Sequence, residues 1–231
     1  MFVQILSKYR YNAKYCKTID RDEFNHIIGL INTQGSGSFS QYYDGYNGYP
    51  QRTPSRIKDN LDLGCGFAVG YRGLSFGGYN WQNDLTDALN SYIGYHTDSP
   101  IYGSQGCYGT VNYVALSRSY ARSYDGSQGH VMKHIINLKQ ANILYSDEVE
   151  RIRNQLSNDR DVIIPRLEKA FSKYVDSNKA RQLAVGFMGS IQYDLGLTCV
   201  LMGGDCLLAG IGNGNQLDIL NWGIARILKD W

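Results

Sequence analysis

Apolar residues recur at a spacing of three to four in several stretches of the chain and alternate in others, and this difference in period sorts the segments into helices and strands. Asp20 to Ile31 predicts a helix, with Asp20 as its N-cap and an apolar stripe at Phe24, Ile27, Ile28 and Ile31. Asn83–Tyr95 repeats the pattern through Leu85, Ala88, Leu89 and Tyr92, and Thr53 to Leu61, with Pro54 just inside its start, predicts a shorter helix. Ser117–Tyr124 predicts another short helix, and residues 146–186 predict a charged helical stretch broken near Asp159 and Asp176.

Strand periodicity appears in Cys65–Ser75, where Phe67, Val69 and Tyr71 share one face and Arg72 stands at the end, and again in Gly129–Leu138. The C-terminal part predicts a series of strands separated by Gly turns: Thr198–Met202, Cys206–Gly210, Leu217–Trp222 and Ile224–Leu228. Gln34–Gln51 is rich in Gly, Ser and Tyr and predicts a loop, and 102–115 is punctuated by glycines. No internal repeat or linker divides the chain. These features predict one α+β domain over 1–231, with a mixed lead-in at 1–63 and a helical insert at 146–186.

The composition agrees with a folded domain, since 43% of the 231 residues are hydrophobic and 19% are charged. A domain of this length buries roughly 70–75% of its unfolded surface, enough to stand without disulfides or metal. The net charge of +2, with no Lys/Arg run longer than two, argues against a nucleic-acid backbone binder. The five cysteines are odd in number, irregularly spaced and free of any CxxC, which predicts reduced thiols and no zinc site. The first residues are charged by Lys8 and lack a small-residue cleavage site, so no signal peptide is expected. Nor does any apolar run reach the roughly 18 residues of a membrane span, so a cytoplasmic protein is the expectation.

Generic chemical motifs are weak. Gly210-Ile-Gly-Asn-Gly precedes a strand rather than a helix and carries no Gly-Lys-Ser/Thr, so it fits neither a dinucleotide fingerprint nor a P-loop. His130 and His134 share a strand face, but no third metal ligand accompanies them. Ser104, Ser117 and Ser119 sit in no nucleophile elbow, and Cys107 has no assigned base.

Three ordered segments are more specific. They are Val69-Gly-Tyr-Arg-Gly-Leu-Ser, then Gly106 to Tyr124 followed by Gly129-His-Val-Met-Lys-His-Ile-Ile-Asn-Leu, and lastly Asn215-Gln-Leu-Asp-Ile-Leu-Asn-Trp-Gly. In this order, across roughly residues 65–228, they resemble the ADP-ribosyltransferase family, and in their Tyr/Gly-rich character its small phage and bacterial effector members. In that family a strand ends in a Tyr-Arg-Gly-type motif, a Gly-rich turn leads into a strand and a helix with Ala-x-x-Tyr, and a late strand begins with an acidic residue or Gln.

The resemblance implies a split β-sandwich in which two small sheets flank an NAD cleft and helices surround them. NAD would be the co-substrate. Arg72 would hold phosphate or ribose oxygens with paired hydrogen bonds, and Gly73 would let the ligand approach the backbone. Tyr113 would stack on nicotinamide, while Ser117, with Ser119, would brace the site. Here the chain departs from the pattern: aligned on Asn221-Trp-Gly, Gln216 occupies the usual glutamate position, and Asp218 follows two residues later on the same strand face. Cleavage of the nicotinamide–ribose bond passes through an oxocarbenium-like state, as glycoside cleavage does, and of these two only Asp218 is a carboxylate able to offset its charge.

The implied activity is mono-ADP-ribosyl transfer from NAD to a macromolecular acceptor, for which near-neutral charge favours a host protein, by a monomeric enzyme. Two alternatives remain open at this level: an NAD glycohydrolase with water as acceptor, and a catalytically inactive inhibitor or virion-associated module that keeps the fold.

Overall fold

The computed structural model describes residues 19–33, 66–73, 104–106, 109–111, 114–123, 131–139, 141–211, 214–220 and 225–228. The helices expected at 53–61 and 83–95 and the loop expected at 34–51 lie outside these residues. What is described is a mixture of helices and strands, with the strands in small sheets, so the α+β class holds.

Helix α1 (Arg21–Thr33) follows Asp20 and buries Phe24 and Ile27, two positions of the expected stripe. Phe24 stacks on Tyr174 at 4.9 Å and meets Phe171 edge-on, while the Tyr174 hydroxyl donates to the Ile19 carbonyl at 2.6 Å. These contacts fasten the N-terminal helix to the helical layer.

Strand β1 (Phe67–Gly73) pairs antiparallel with β4 (Val131–Asn137), which pairs antiparallel with β8 (Ala225–Leu228). Between β1 and β4 in sequence come the hairpin β2 (Ser104–Gly106) and β3 (Gly109–Val111) and the short helix α2 (Arg118–Arg122). A second three-stranded sheet is built from β5 (Ile143–Tyr145), β6 (Cys206–Ile211) and β7 (Gly214–Ile219); β5 and β6 run parallel, β6 and β7 antiparallel.

A parallel pair needs a crossover, and here the crossover is the helical layer itself. It comprises α3 (Ser146–Asn158), α4 (Arg160–Phe171), α5 (Ser177–Tyr193) and α6 (Leu195–Leu201). The breaks fall near Asp159 and Asp176, as expected; the Asp176 carboxylate accepts the Lys179 N–H at 2.9 Å and starts α5.

The helical unit continues past residue 186, and this corrects one expectation. Thr198–Met202 is not a strand: most of it lies in α6. All seven residues of α6 are buried, so no polar face betrays a helical period, and a short apolar run reads equally well as a core strand. Its ends settle the matter. The Asp194 carboxylate accepts the Leu197 N–H at 2.9 Å, and Gly203, with φ of 86°, closes the far end. There the Gly203 and Gly204 N–H groups return to the Val200 and Cys199 carbonyls in a Schellman arrangement. The strand expected at Leu217–Trp222 begins earlier, at Gly214, and ends at Ile219.

Two larger apolar clusters form among the described residues, beside a small one of Ala115, Ala121 and Val131. The larger gathers the helices with Leu144, Leu207 and Leu220. The other joins Ala68 and Ile136 of the first sheet to Ile143, Cys206, Leu217 and Ile219 of the second, with Val114 among them, so the two sheets share a core. No helix among the described residues is by itself long and apolar enough to cross a membrane.

Candidate functional site

The two sheets meet at a short extended segment, Val114–Ala115. On one side Ala115 exchanges backbone hydrogen bonds with Tyr71 of β1, both at 2.7 Å. On the other it forms a bridge with Gln216 of β7, and the Leu217 N–H donates to the Val114 carbonyl at 2.8 Å. Tyr71, Ala115 and Gln216 therefore stand abreast, one from each of the three sequence segments that carry the resemblance.

Arg72 follows Tyr71 on β1. Side chains alternate along a strand, so Arg72 shares a face with Ala68 and Gly70, which look into the core between the sheets. It is half-buried and lies opposite Met132 of β4. Gly70 is required here: a Cβ would stand 2.2 Å from Val114 Cγ1. His134, opposite Gly70 on β4, is fully buried, whereas His130 lies outside the described residues. No group of three or more His, Cys, Asp or Glu among the described residues is placed to hold a metal.

Gln216 and Asp218 point to one side of β7, as the period of two requires, and both are buried, at 5% and 0% exposure. Asp218 is paired with Leu207 of β6, whose side chain belongs to the helical core, so its carboxyl lies beneath the helical layer. Its Oδ1 accepts the Val114 N–H at 3.2 Å. Its Oδ2, like Oε1 of Gln216, is buried without a hydrogen-bond partner among the described residues.

Burial pushes the Asp218 carboxyl well above the usual carboxylate range, and the opposing pulls of the Val114 N–H and the nearby Arg72 guanidinium do not cancel it. The thiols of Cys199 and Cys206 are likewise raised, first by burial and then by the neighbouring Asp205 carboxylate, and stay un-ionised. Burial thus disfavours the charged carboxylate that a developing cation would need.

Ser117 caps α2, accepting the Tyr120 N–H at 3.4 Å, and its hydroxyl contacts that of Ser119 at 2.7 Å. It stands two residues beyond Ala115, so the segment that bridges the sheets also carries it. Gly73 ends β1 opposite Val131. Tyr113 lies outside the described residues, although Val114 beside it is the bridge.

Comparison with protein-family models, curated proteins and solved structures finds no match to this chain.

The arrangement thus brings Tyr71, Ala115 and Gln216 abreast, with the Arg72 guanidinium near enough to act on Asp218. Sequence reasoning reaches these segments but not the bridge between them, nor the part of Gly70 in admitting Val114. The one local signal is the apolar run Val114-Ala-Leu directly after a Gly-punctuated hairpin.

Proposed function

We propose that this chain binds NAD at the junction of β1, the Val114–Ala115 segment and β7, and transfers its ADP-ribose to an acceptor. The observation that carries the reading is the row Tyr71–Ala115–Gln216: segments distant in sequence, each resembling an ADP-ribosyltransferase motif, are held side by side by backbone hydrogen bonds.

In this reading Arg72 and Gly73 receive the pyrophosphate, Tyr113 stacks on nicotinamide and Ser117 braces the wall. Gln216 faces the ribose. The bond from ribose to the nicotinamide nitrogen breaks with its electron pair leaving on nicotinamide. An acceptor atom then bonds to the ribose carbon and gives up its proton. A protein side chain is the proposed acceptor, in keeping with the net charge of +2.

A second reading rests on a specific observation. With Gln at the glutamate position and burial disfavouring the charged form of Asp218, the chain binds NAD without turning it over. Calorimetry with NAD, followed by incubation with labelled NAD and a cell lysate, separates the possibilities. Label on protein supports transfer, free ADP-ribose alone supports hydrolysis, and binding without either supports the inactive module. Absence of binding refutes all three.

A further inference from the structure

We propose that Asp218 is a positioning residue, which holds the Val114 N–H and so keeps the Val114–Ala115 segment seated between β1 and β7. The inference rests on the NAD reading only for its consequence in binding; the latch itself stands on the fold.

Its basis is the pattern of hydrogen bonds at the junction. Ala115 spends both backbone groups on Tyr71, and the Val114 carbonyl accepts the Leu217 N–H. The Val114 N–H is met instead by a side chain, the Asp218 carboxyl, from 104 positions away in sequence. A buried N–H must be satisfied somewhere, and losing its acceptor exposes the full cost of desolvation. Complete burial of Asp218 under the helical layer makes contact with a substrate atom the poorer role for it.

The two orphan oxygens fit the same assignment. Gln216 Oε1 and Asp218 Oδ2 are both acceptors on one strand face. Burial favours a proton on the Asp218 carboxyl, and the Oδ1 acceptor for the Val114 N–H is kept in either protonation state. Among the described residues, the charged and titratable groups that act on Asp218 or feel it are Arg72 of β1, Cys199 of α6 and Cys206 of β6.

The test compares Asp218→Ala with Asp218→Asn in the full chain, reading amide hydrogen exchange at Val114 and at Phe187 of α5, together with NAD affinity. Asp218→Ala is expected to lower protection at Val114 by about tenfold or more relative to Phe187, and to weaken NAD binding by a similar factor. Asp218→Asn retains an oxygen acceptor for the N–H and is expected to rescue both. Unchanged Val114 protection in Asp218→Ala overturns the proposal, as does equal loss in both variants. If Asp218→Ala does not fold, Asp218→Asn decides alone: retained Val114 protection supports the latch, and lost protection overturns it. A hundredfold loss of NAD cleavage in Asp218→Asn at unchanged affinity and protection makes Asp218 a catalytic charge instead, and also overturns it. If the wild-type chain binds no NAD, the proposed function fails while the exchange data still judge the latch.

Discussion

Gly70 lies so close beneath Val114 that a Cβ added to it would stand 2.2 Å from Val114 Cγ1. The side chain absent at Gly70 is what lets the bridge sit down on β1 and bring Tyr71 to Ala115. Gly70→Ala should therefore force the segment outward, at a cost of about 1–3 kcal/mol typical of an overpacked core. Urea denaturation measures it, and a variant within about 0.5 kcal/mol of wild type would show that the bridge can shift freely.

Asp194→Ala removes the carboxylate that accepts the Leu197 N–H at the start of α6. Loss of an N-cap costs about 1 kcal/mol, and the 6% exposure of Asp194 leaves little water to replace it. Thermal unfolding should show a lowered Tm, with Asp194→Asn close to wild type because it keeps an acceptor.

Asp218 gives the protein a defined pH dependence. The folded chain holds this proton more tightly than the unfolded chain, whose carboxyl titrates near its ordinary value of 3.8. Its stabilising contribution is whole below that pH and is lost as pH rises through the raised folded value. Asp218→Asn has no proton to lose there. Its stability should fall less than that of wild type as pH rises from about pH 4 in urea titrations. A parallel pH dependence in the two proteins would place the ionisation elsewhere.

Arg72→Lys tests whether the guanidinium fork grips the ligand. Lys keeps the charge but loses the paired donors, so NAD affinity should fall about tenfold by calorimetry, with Arg72→Ala lower still. Equal affinity in Arg72→Lys would mean that only charge is used.

Gln216 offers the opposite kind of change. Gln216→Glu restores the carboxylate of the family that the sequence resembles, and nicotinamide release should be preserved or increased. Gln216→Ala should weaken NAD binding. If Gln216→Glu instead abolishes release while Gln216→Ala has no effect on binding, the residue lies outside the site.

Features that depend on neighbouring residues are legible in the sequence itself. Breaks at Asp159 and Asp176, the start of α1 after Asp20 and the strand around Tyr71 follow from caps and periodicity within a few positions. The candidate residues Arg72, Gln216 and Asp218 are legible as well, because residue type and order suffice to propose them.

Tertiary structure decides the rest. Leu195–Leu201 is buried along its whole length, so its mostly apolar sequence shows no polar face from which the helical period could be read. The adjacency of Tyr71, Ala115 and Gln216 comes from hydrogen bonds between segments far apart in the chain, which no local pattern encodes. Above all, Asp218 reads from sequence as an available carboxylate and in the fold is sealed beneath β6 and the helical layer. Charge belongs to a residue type, but its free energy belongs to the surroundings, and those are assembled only when the sheets and helices close over it.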